Sequence, residues 1–468
     1  MYKLISHYLF MGKQLKVGDT VTLHGWINVR RDHGKIIFMD LRSSFGLLQC
    51  VFTPNEKDAY DIANAIRPEW VVEITGIIKE RPENMKNHEL EFGGIELEAK
   101  RIKIINEALP PPFNIDAAGH DISEDLRLMY RYLDLRRPRL HENILKRDRV
   151  LTFMRNYLHD SGFIEIETPI LSKSTPEGAR DYVVPYRKDP GRFYALPQSP
   201  QQYKQLLMVA GFEKYFQIAR CMRDEDTRLD RQPEFTQVDM EMSFISRDDI
   251  MQTVEKMLTA FIKDLYPQKR IIESPWPHIQ YASAMEKYKT DRPDLRKDAS
   301  DQHELAFAWI VDFPLFESEK ENGYYAPSHH MFTMPKEEDV PALDTNPHSV
   351  KSYQFDLVLN GNEVGGGGIR IHNRELQEKI FQLIGFTEEQ KTSFGHMLTA
   401  FQYGAPPHGG IALGFDRLFM VLQNEPNIRE IMAFPKTGEG EDPMMNAPAQ
   451  ISKAQLEELG IIVKKERK

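Results

Sequence analysis

Apolar and polar residues alternate with a period of two through most of residues 15–107. In DTVTLHGWINVRRDHGKIIFMDLRSSFGLLQCVF the alternation is broken at Gly25, Gly34 and Gly46, which read as turns. EWVVEITGIIKERP and GIELEAKRIKIINE continue the pattern. About five strands with one short helical stretch near 56–66 predict a small β-barrel of the OB type. LPPPFNID at 109–116 supports neither a helix nor a central strand and reads as a stiff linker. Beyond it the period lengthens. Ser123 is a candidate N-cap with acids in the following turn, then Ile144, Val150, Leu151, Met154 and Leu158 recur at helical spacing until Gly162. Strand-like runs with flanking helices follow to about residue 435 without regular βαβ order, which predicts an α+β unit on an antiparallel sheet. The last thirty residues read as a loop, a short amphipathic helix and a charged end. The expected organisation is therefore a barrel domain at 1–107, a linker or hinge at 108–135, an α+β domain at 136–435 and a C-terminal extension at 436–468.

One segment, SYQFDLVLNGNEVGGGGIRIHNRE at 352–375, carries a sharper pattern. Asn360-Gly361 between alternating runs predicts a two-residue type I′ hairpin turn. Leu359 then faces Asn362, Val358 faces Glu363 and Asp356 faces Gly365. Asp356 and Glu363 share a face with Val358, while Tyr353, Phe355, Leu357, Leu359 and Val364 form a core face. Strict alternation onward would place Ile369 and Ile371 beside the acids and Arg370 in the core. One extra residue within Gly365–Gly368 repairs this, so a β-bulge is expected there, with Arg370 brought beside the acids. Two carboxylates on one face can hold a divalent cation, although a solvated face with incidental acids fits the hairpin alone equally well.

Composition narrows the setting. The chain has 468 residues, 41% hydrophobic and 28% charged, the mix of a globular protein of two or three domains. No apolar run approaches the ~20 residues of a membrane helix. No small-residue cleavage site follows the N-terminal apolar patch, so no signal peptide is expected. Two distant cysteines, Cys50 and Cys221, exclude a disulfide scaffold or zinc cluster and fit a reducing, cytoplasmic location. The net charge of −10 falls outside residues 1–107, which hold fifteen basic and fifteen acidic residues. There is no G-x-x-x-x-G-K-[ST] loop and no G-x-G-x-x-G between strand and helix.

Two further stretches carry candidate chemistry. In YFQIARCMRDEDTRLDRQPEFTQVDMEMSF, Arg220, Arg223, Arg228 and Arg231 bracket a long turn with interleaved acids. Such a run is either a solvated, salt-bridged hairpin or a set of planar forks for phosphate and carboxylate. In GGIALGFDRLFMVL, Arg417 sits near the start of an apolar helix and needs a partner, from protein or ligand.

Together these stretches resemble the signature motifs of class II aminoacyl-tRNA synthetases: GFIEIETPIL with Pro169 as motif 1, RDE at 223–225 with its loop as motif 2, and GFDR at 414–417 as motif 3. STPEGARDY, LPQSPQQYKQLLM, RQPEFTQVDMEMSF and HHMFT further resemble the bacterial-type aspartyl enzymes, over nearly the whole chain. The resemblance implies ATP-dependent activation of L-aspartate to its adenylate and transfer to tRNA(Asp), by a cytoplasmic homodimer using Mg²⁺. It implies that Arg223 grips the α-phosphate and substrate carboxylate, and that Asp224, Glu225, Gln232, Glu363, Gly414, Phe415 and Asp416 meet ATP, with Arg417 on its γ-phosphate. Asp356 and Glu363 would hold Mg²⁺. Lys204 and Arg370 would bind the aspartate side chain, supported by Gln201 and Asp239, with Glu177 near the α-amino group and His329 in the same pocket. In the barrel, Arg30, His33, Phe38 and Gln49 would meet the anticodon, with stacking as a usual OB mode. His33 follows Arg-Asp, where the family often has leucine in enzymes strict for tRNA(Asp) and histidine in many that also charge tRNA(Asn). Bacterial members usually carry a domain-sized insertion that is expected to be missing here near 292–304. The alternatives are an asparaginyl relative or a non-catalytic tRNA-binding paralogue.

Overall fold

The computed structural model describes residues 15–43, 46–88, 90, 92–174, 178–321 and 323–464. The chain divides into two compact units, the second beginning at Asp116. In the first, strands β1 (Thr20–His33), β2 (Ile36–Ser43), β3 (Gly46–Phe52), β4 (Val71–Glu80) and β5 (Ile95–Asn106) close a barrel in the order β1-β2-β3-β5-β4, with helix α1 (Lys57–Ala65) between β3 and β4. The period-two residues fill it: Leu23, Ile27, Ile37, Met39, Leu41, Leu48, Cys50 and Ile74 pack together inside. Gly34 and Gly46 have the positive φ of turns, but Gly25 does not. It lies within β1, where a Cβ would come 2.3 Å from the Arg42 carbonyl oxygen. That glycine serves a close strand approach, not a turn.

The second unit is built on an eight-stranded sheet. Its strands are β6 (Ile164–Glu165), β7 (Lys214–Met222), β8 (Glu234–Ser243), β9 (His278–Gln280), β10 (Phe307–Val311), β11 (Gln354–Leu359), β12 (Asn362–Ile369) and β13 (His408–Gly414), in the order β9-β10-β11-β12-β13-β8-β7-β6. The inner pairs are antiparallel as expected, but the outer pairs β9/β10 and β6/β7 are parallel, so the sheet is mixed. Both edge strands are very short and join their neighbours through segments that contain helices, the crossover that parallel pairing requires. Helices α2 (Pro138–Asp160), α3 (Gln201–Val209), α4 (Arg247–Leu265) and α5 (Phe415–Gln423) flank it. Val150, Met154 and Leu158 of α2 and the apolar stripe of α4 bury one sheet face together with Val238, Met240, Phe355, Leu357, Val364 and Ile411. The opposite face is left for the site.

Residues 124–134, within the expected linker or hinge, form the short helices Glu124–Met129, which begins after Ser123 as expected, and Arg131–Asp134, and they are pinned within this unit. Buried Asp134 accepts from Arg127, Arg131 and Arg137, and Arg127 reaches Glu430 with a bidentate fork at 2.9 and 2.8 Å.

The hairpin β11–β12 turns at Asn360-Gly361, both with positive φ, and pairs Leu359 with Asn362 and Val358 with Glu363. The register then shifts. Leu357 faces Gly365, Asp356 faces Gly366, Phe355 faces Gly367 and Gln354 faces Gly368. The extra residue is thus Val364, one step before the glycine run, and pairing through Gly365–Gly368 is regular. The bulge expected inside the glycines is not there. Its consequence for parity still holds: Ile369 packs against the main core, and Arg370 points to the other face. Ile371 is buried in a neighbouring apolar cluster with Leu315, Val350 and Ile380.

Candidate active site

A cavity of about 360 Å³ opens on the polar face of the sheet. Alternation along β8 builds its floor, with Gln237 and Asp239 turned to the cavity while Val238, Met240 and Met242 enter the core. Helix α3 supplies Gln201 and Lys204, the loop after β7 supplies Arg223 and Glu225, the hairpin supplies Gln354, Glu363 and Gly365–Gly367, and α5 supplies Arg417.

At one end, two cations stand among buried acids. Lys204 Nζ lies 2.7 Å from Asp239 Oδ1 and 3.2 Å from Glu241 Oε2, with all three residues nearly fully buried. Arg370 Nε donates to Glu241 Oε1 at 3.0 Å, and its Nη1 lies 2.7 Å from His330 Nε2. Burial alone would raise the Glu241 carboxyl, but Arg370 and Lys204 hold it down at about 2. Burial dominates at Asp239 and raises it despite Lys204. Asp239 Oδ2 is buried without a hydrogen-bond partner. Arg370 therefore does not sit on Asp356 and Glu363, as the hairpin alone implied; its carboxylate comes from β8.

Beside it the hairpin acids converge. A Cβ on Gly366 would lie 3.1 Å from Asp356 Oδ1 and 3.9 Å from Glu363 Oε1, so both carboxylates overhang one bare glycine. Glu363 is pushed up by burial and by Asp356. His329 Nε2 lies 3.2 Å from Asp356 Oδ2. Burial would lower this imidazole, but the Asp356 carboxylate wins and raises it. His329 thus stands over the acid pair, and the neighbouring His330 is the histidine beside Arg370. Gln354 Nε2 donates to Asp356 Oδ1 at 2.9 Å.

The third group is cationic and open. Arg223 stacks 5.2 Å above the Phe235 ring and donates only a long bond, 3.4 Å, to the Gln198 carbonyl. No carboxylate pairs with it among the described residues. Arg417 Nη1 donates to the Glu363 carbonyl at 2.6 Å and its Nη2 lies 3.2 Å from Asp230. Glu225 pairs with Arg231 at 3.2 Å. Gln232 reaches the cavity wall, but both ends of its carboxamide are taken by the Lys436 backbone.

Three expected ATP residues behave differently. Phe415 is fully buried in the core, stacked on Phe419. Asp416 accepts from Thr236 N–H at 2.6 Å and from Arg147, which makes it a clamp between α5, β8 and α2. Asp224 pairs with Arg180 at 3.6 Å, outside the cavity lining. Gly414 and Asp416 do line the cavity. Glu177 lies outside the described residues. Sequence reasoning missed Glu241, His330 and Gln354, and it left Arg231 and Asp230, both in the arginine-rich turn, without partners. Period two from Asp239 could have found Glu241; the others are assembled only by the fold.

In the barrel, Phe38 is half-buried on the outer face, between the inward Ile37 and Met39. It pairs across strands with Arg31. Arg31 forks onto Asp40 at 2.8 Å and reaches Gln49, whose amide donates to Glu96. Arg30 is tied to Asp32 and Asn64, and His33 is exposed at the end of β1. The outer face thus presents an aromatic flanked by polar groups.

Residues 123–438 match the family described as tRNA synthetases class II (D, K and N), and residues 21–105 match the family described as OB-fold nucleic acid binding domain. A relative from Rubrobacter xylanophilus named aspartate–tRNA(Asp/Asn) ligase is 43% identical, over 95% of this chain and 94% of the relative. One from Bacillus licheniformis named aspartate–tRNA ligase is 40% identical, over 96% and 97%. The Rubrobacter alignment spans 569 residues against the 468 of this chain, so that relative carries internal sequence lacking here. Among solved structures, asparaginyl-tRNA synthetase from Pyrococcus horikoshii matches in fold with a TM-score of 0.72 at 22% identity, over 90% of this chain and 95% of that one. No helix among the described residues is long and apolar enough to cross a membrane.

Proposed function

The chain belongs to the class II tRNA synthetases of the D, K and N group, and we propose that it activates L-aspartate with ATP and transfers it to the 3′ end of tRNA(Asp). The observation that carries this is the pair of buried cations, Lys204 and Arg370, at the end of a cavity whose other walls hold two converging acids and an arginine, Arg223, that pairs with no carboxylate among the described residues. A neutral amide side chain does not call for two cations, and a lysine side chain calls for acids.

The aspartate side chain docks against Lys204 and Arg370. Its α-carboxylate then lies toward Arg223, whose Nη atoms bridge it to the α-phosphate. A carboxylate oxygen attacks the α-phosphorus in line, the bond to the β-phosphate oxygen breaks, and pyrophosphate leaves with the electron pair. A terminal hydroxyl of tRNA then attacks the acyl carbon and AMP departs. Positioning and fixed positive charge do most of this work. Arg417 would take the γ-phosphate once Asp230, now 3.2 Å from its Nη2, yields it.

The acid pair fits Mg²⁺. Two crowded carboxylates, one of them pushed up for want of a counter-charge, suit a cation that takes one or two carboxylates plus phosphate oxygens. Asp356 and Glu363 would hold it, and it would offset charge on the phosphates.

The barrel's outer face, with Phe38, Arg31, Gln49 and His33, is proposed to read the anticodon, and His33 favours relaxed charging that includes tRNA(Asn). The missing internal sequence is proposed to map to 292–304. There the chain closes tightly: Asn360 Oδ1 accepts from Ala306 N–H, Asn360 Nδ2 donates to the Glu304 carbonyl, and the Glu304 carboxylate accepts from Lys297 and Asp298 N–H. Exposed Ile164, Ile170 and Leu171 lie within motif 1 and favour a homodimer, which sedimentation tests. Both cysteines are buried thiols, as a cytosolic protein would have them.

Aspartate-dependent ATP–pyrophosphate exchange, followed by charging of both tRNAs with labelled aspartate, is the deciding experiment. Exchange with aspartate but not asparagine is expected. No exchange with aspartate, or better exchange with asparagine, overturns the reading, and an uncharged tRNA(Asn) removes the His33 inference.

A further inference from the structure

A chain of hydrogen bonds leaves the cavity through Gln201 and ends at a buried histidine. His408 Nδ1 lies 2.8 Å from the Pro406 carbonyl oxygen, and His408 Nε2 lies 3.1 Å from Gln205 Nε2. Gln201 Nε2 donates to Gln205 Oε1 at 3.0 Å. Gln205 and His408 are fully enclosed, and Gln201 reaches the cavity.

Burial favours the neutral His408 ring, and with that ring the polarity of this chain has one solution. A carbonyl oxygen can only accept, so Nδ1 carries the imidazole proton. Nε2 of the neutral ring is then an acceptor, and Gln205 must turn its amide nitrogen toward it. Its carbonyl is left for the Gln201 amide nitrogen, which in turn leaves Gln201 Oε1 for the cavity. No other partner for Gln201 Oε1 occurs among the described residues. Aspartate carries two carboxylates and one ammonium, and only the ammonium can donate to a carbonyl.

We propose that His408 and Gln205 are positioning residues that fix the Gln201 carboxamide with its carbonyl toward the cavity, where it accepts from the substrate's α-ammonium. This rests on the aspartate reading above and moves Gln201 from the side-chain carboxylate to the opposite end of the substrate. Without the anchor, the Gln201 carboxamide is free to rotate and present an NH₂ group to a cation.

The test compares His408→Leu, Gln205→Leu and His408→Gln in aspartate-dependent exchange, with succinate as a competitive inhibitor. Succinate keeps both carboxylates and lacks the ammonium. Both leucine variants are expected to raise the aspartate KM roughly tenfold or more, the effect of losing a hydrogen bond to a charged group. The ATP KM and the succinate inhibition constant should stay near wild type. His408→Gln, which can offer Gln205 a carbonyl, should recover much of the aspartate KM. Unmoved aspartate KM in both leucine variants, or succinate binding weakened in step with it, overturns the proposal. Wild-type protein without aspartate-dependent exchange overturns the aspartate reading and this inference together.

Discussion

Lys204 and Arg370 reach the same carboxylate: Glu241 takes the lysine Nζ at 3.2 Å and the arginine Nε at 3.0 Å, and all three side chains are nearly fully buried. The shared acid holds two like charges close together in a low-dielectric pocket. The pocket is set for an anionic side chain before any substrate arrives. Lys204→Met is therefore expected to raise the aspartate KM roughly a hundredfold, since truncating one partner of a buried charge set costs most where the other is left unpaired. It should not create activity with asparagine. Steady-state exchange kinetics with both amino acids measure this.

Two adjacent glycines should fail in different ways. A Cβ on Gly366 faces the cavity, 3.1 Å from Asp356 Oδ1, whereas one on Gly367 would strike the Phe355 ring at 2.8 Å and the Gly410 carbonyl at 2.4 Å. Gly366→Ala should keep its fold and lose most exchange activity. Gly367→Ala should lose roughly 1–3 kcal/mol of stability by overpacking. Urea unfolding alongside exchange separates the two.

The acid pair predicts a metal phenotype. Asp356→Asn or Glu363→Gln should raise the Mg²⁺ concentration for half-maximal exchange. Removing Gln354, which steadies Asp356, should weaken metal binding by roughly tenfold to a hundredfold. Titration with Mn²⁺ in the presence of ATP, followed by electron paramagnetic resonance, reads this without turnover.

Arg223 has no carboxylate partner among the described residues, so its replacement leaves no buried acid unpaired. Arg223→Ala is expected to lower exchange by roughly a thousandfold, as loss of a preorganised charge at the reacting centre does. Binding of tRNA, measured by filter retention, should be largely kept. Retained exchange removes Arg223 from the mechanism.

The buried network at Glu430 predicts an acid limit. Burial would raise this carboxyl, but Arg127 and Arg139 hold it at about 2, below its ordinary 4.5. Its pKa is depressed on folding, so its contribution is full above about 4.5 and is lost as pH falls toward 2. Glu430→Gln should be less stable at neutral pH by roughly 3 kcal/mol and should lose less on acidification, measured by urea unfolding across that window.

Periodicity and turn chemistry were enough to determine the barrel, the long helix ending before Gly162, and the hairpin at Asn360-Gly361. Each depends on neighbours in sequence: alternation places side chains on faces, and Asn-Gly supplies two residues with positive φ. Parity along 353–371 even required one extra residue. It could not say where, because a count is blind to packing. The glycines suggested themselves, yet Gly365 and Gly367 are bare so that β12 can lie against Leu413, Phe355 and the Gly410 carbonyl, and Val364 carries the bulge. The partners of each charge stayed hidden for the same reason. Arg370 looked toward Asp356 on its own hairpin, but across the sheet Glu241 is the acid that meets it. Asp416 sat beside Arg417 in sequence and points to Thr236 and Arg147 instead. Local sequence determines which face a residue occupies; which distant residue faces it is decided only when β8, β12 and β13 are laid side by side.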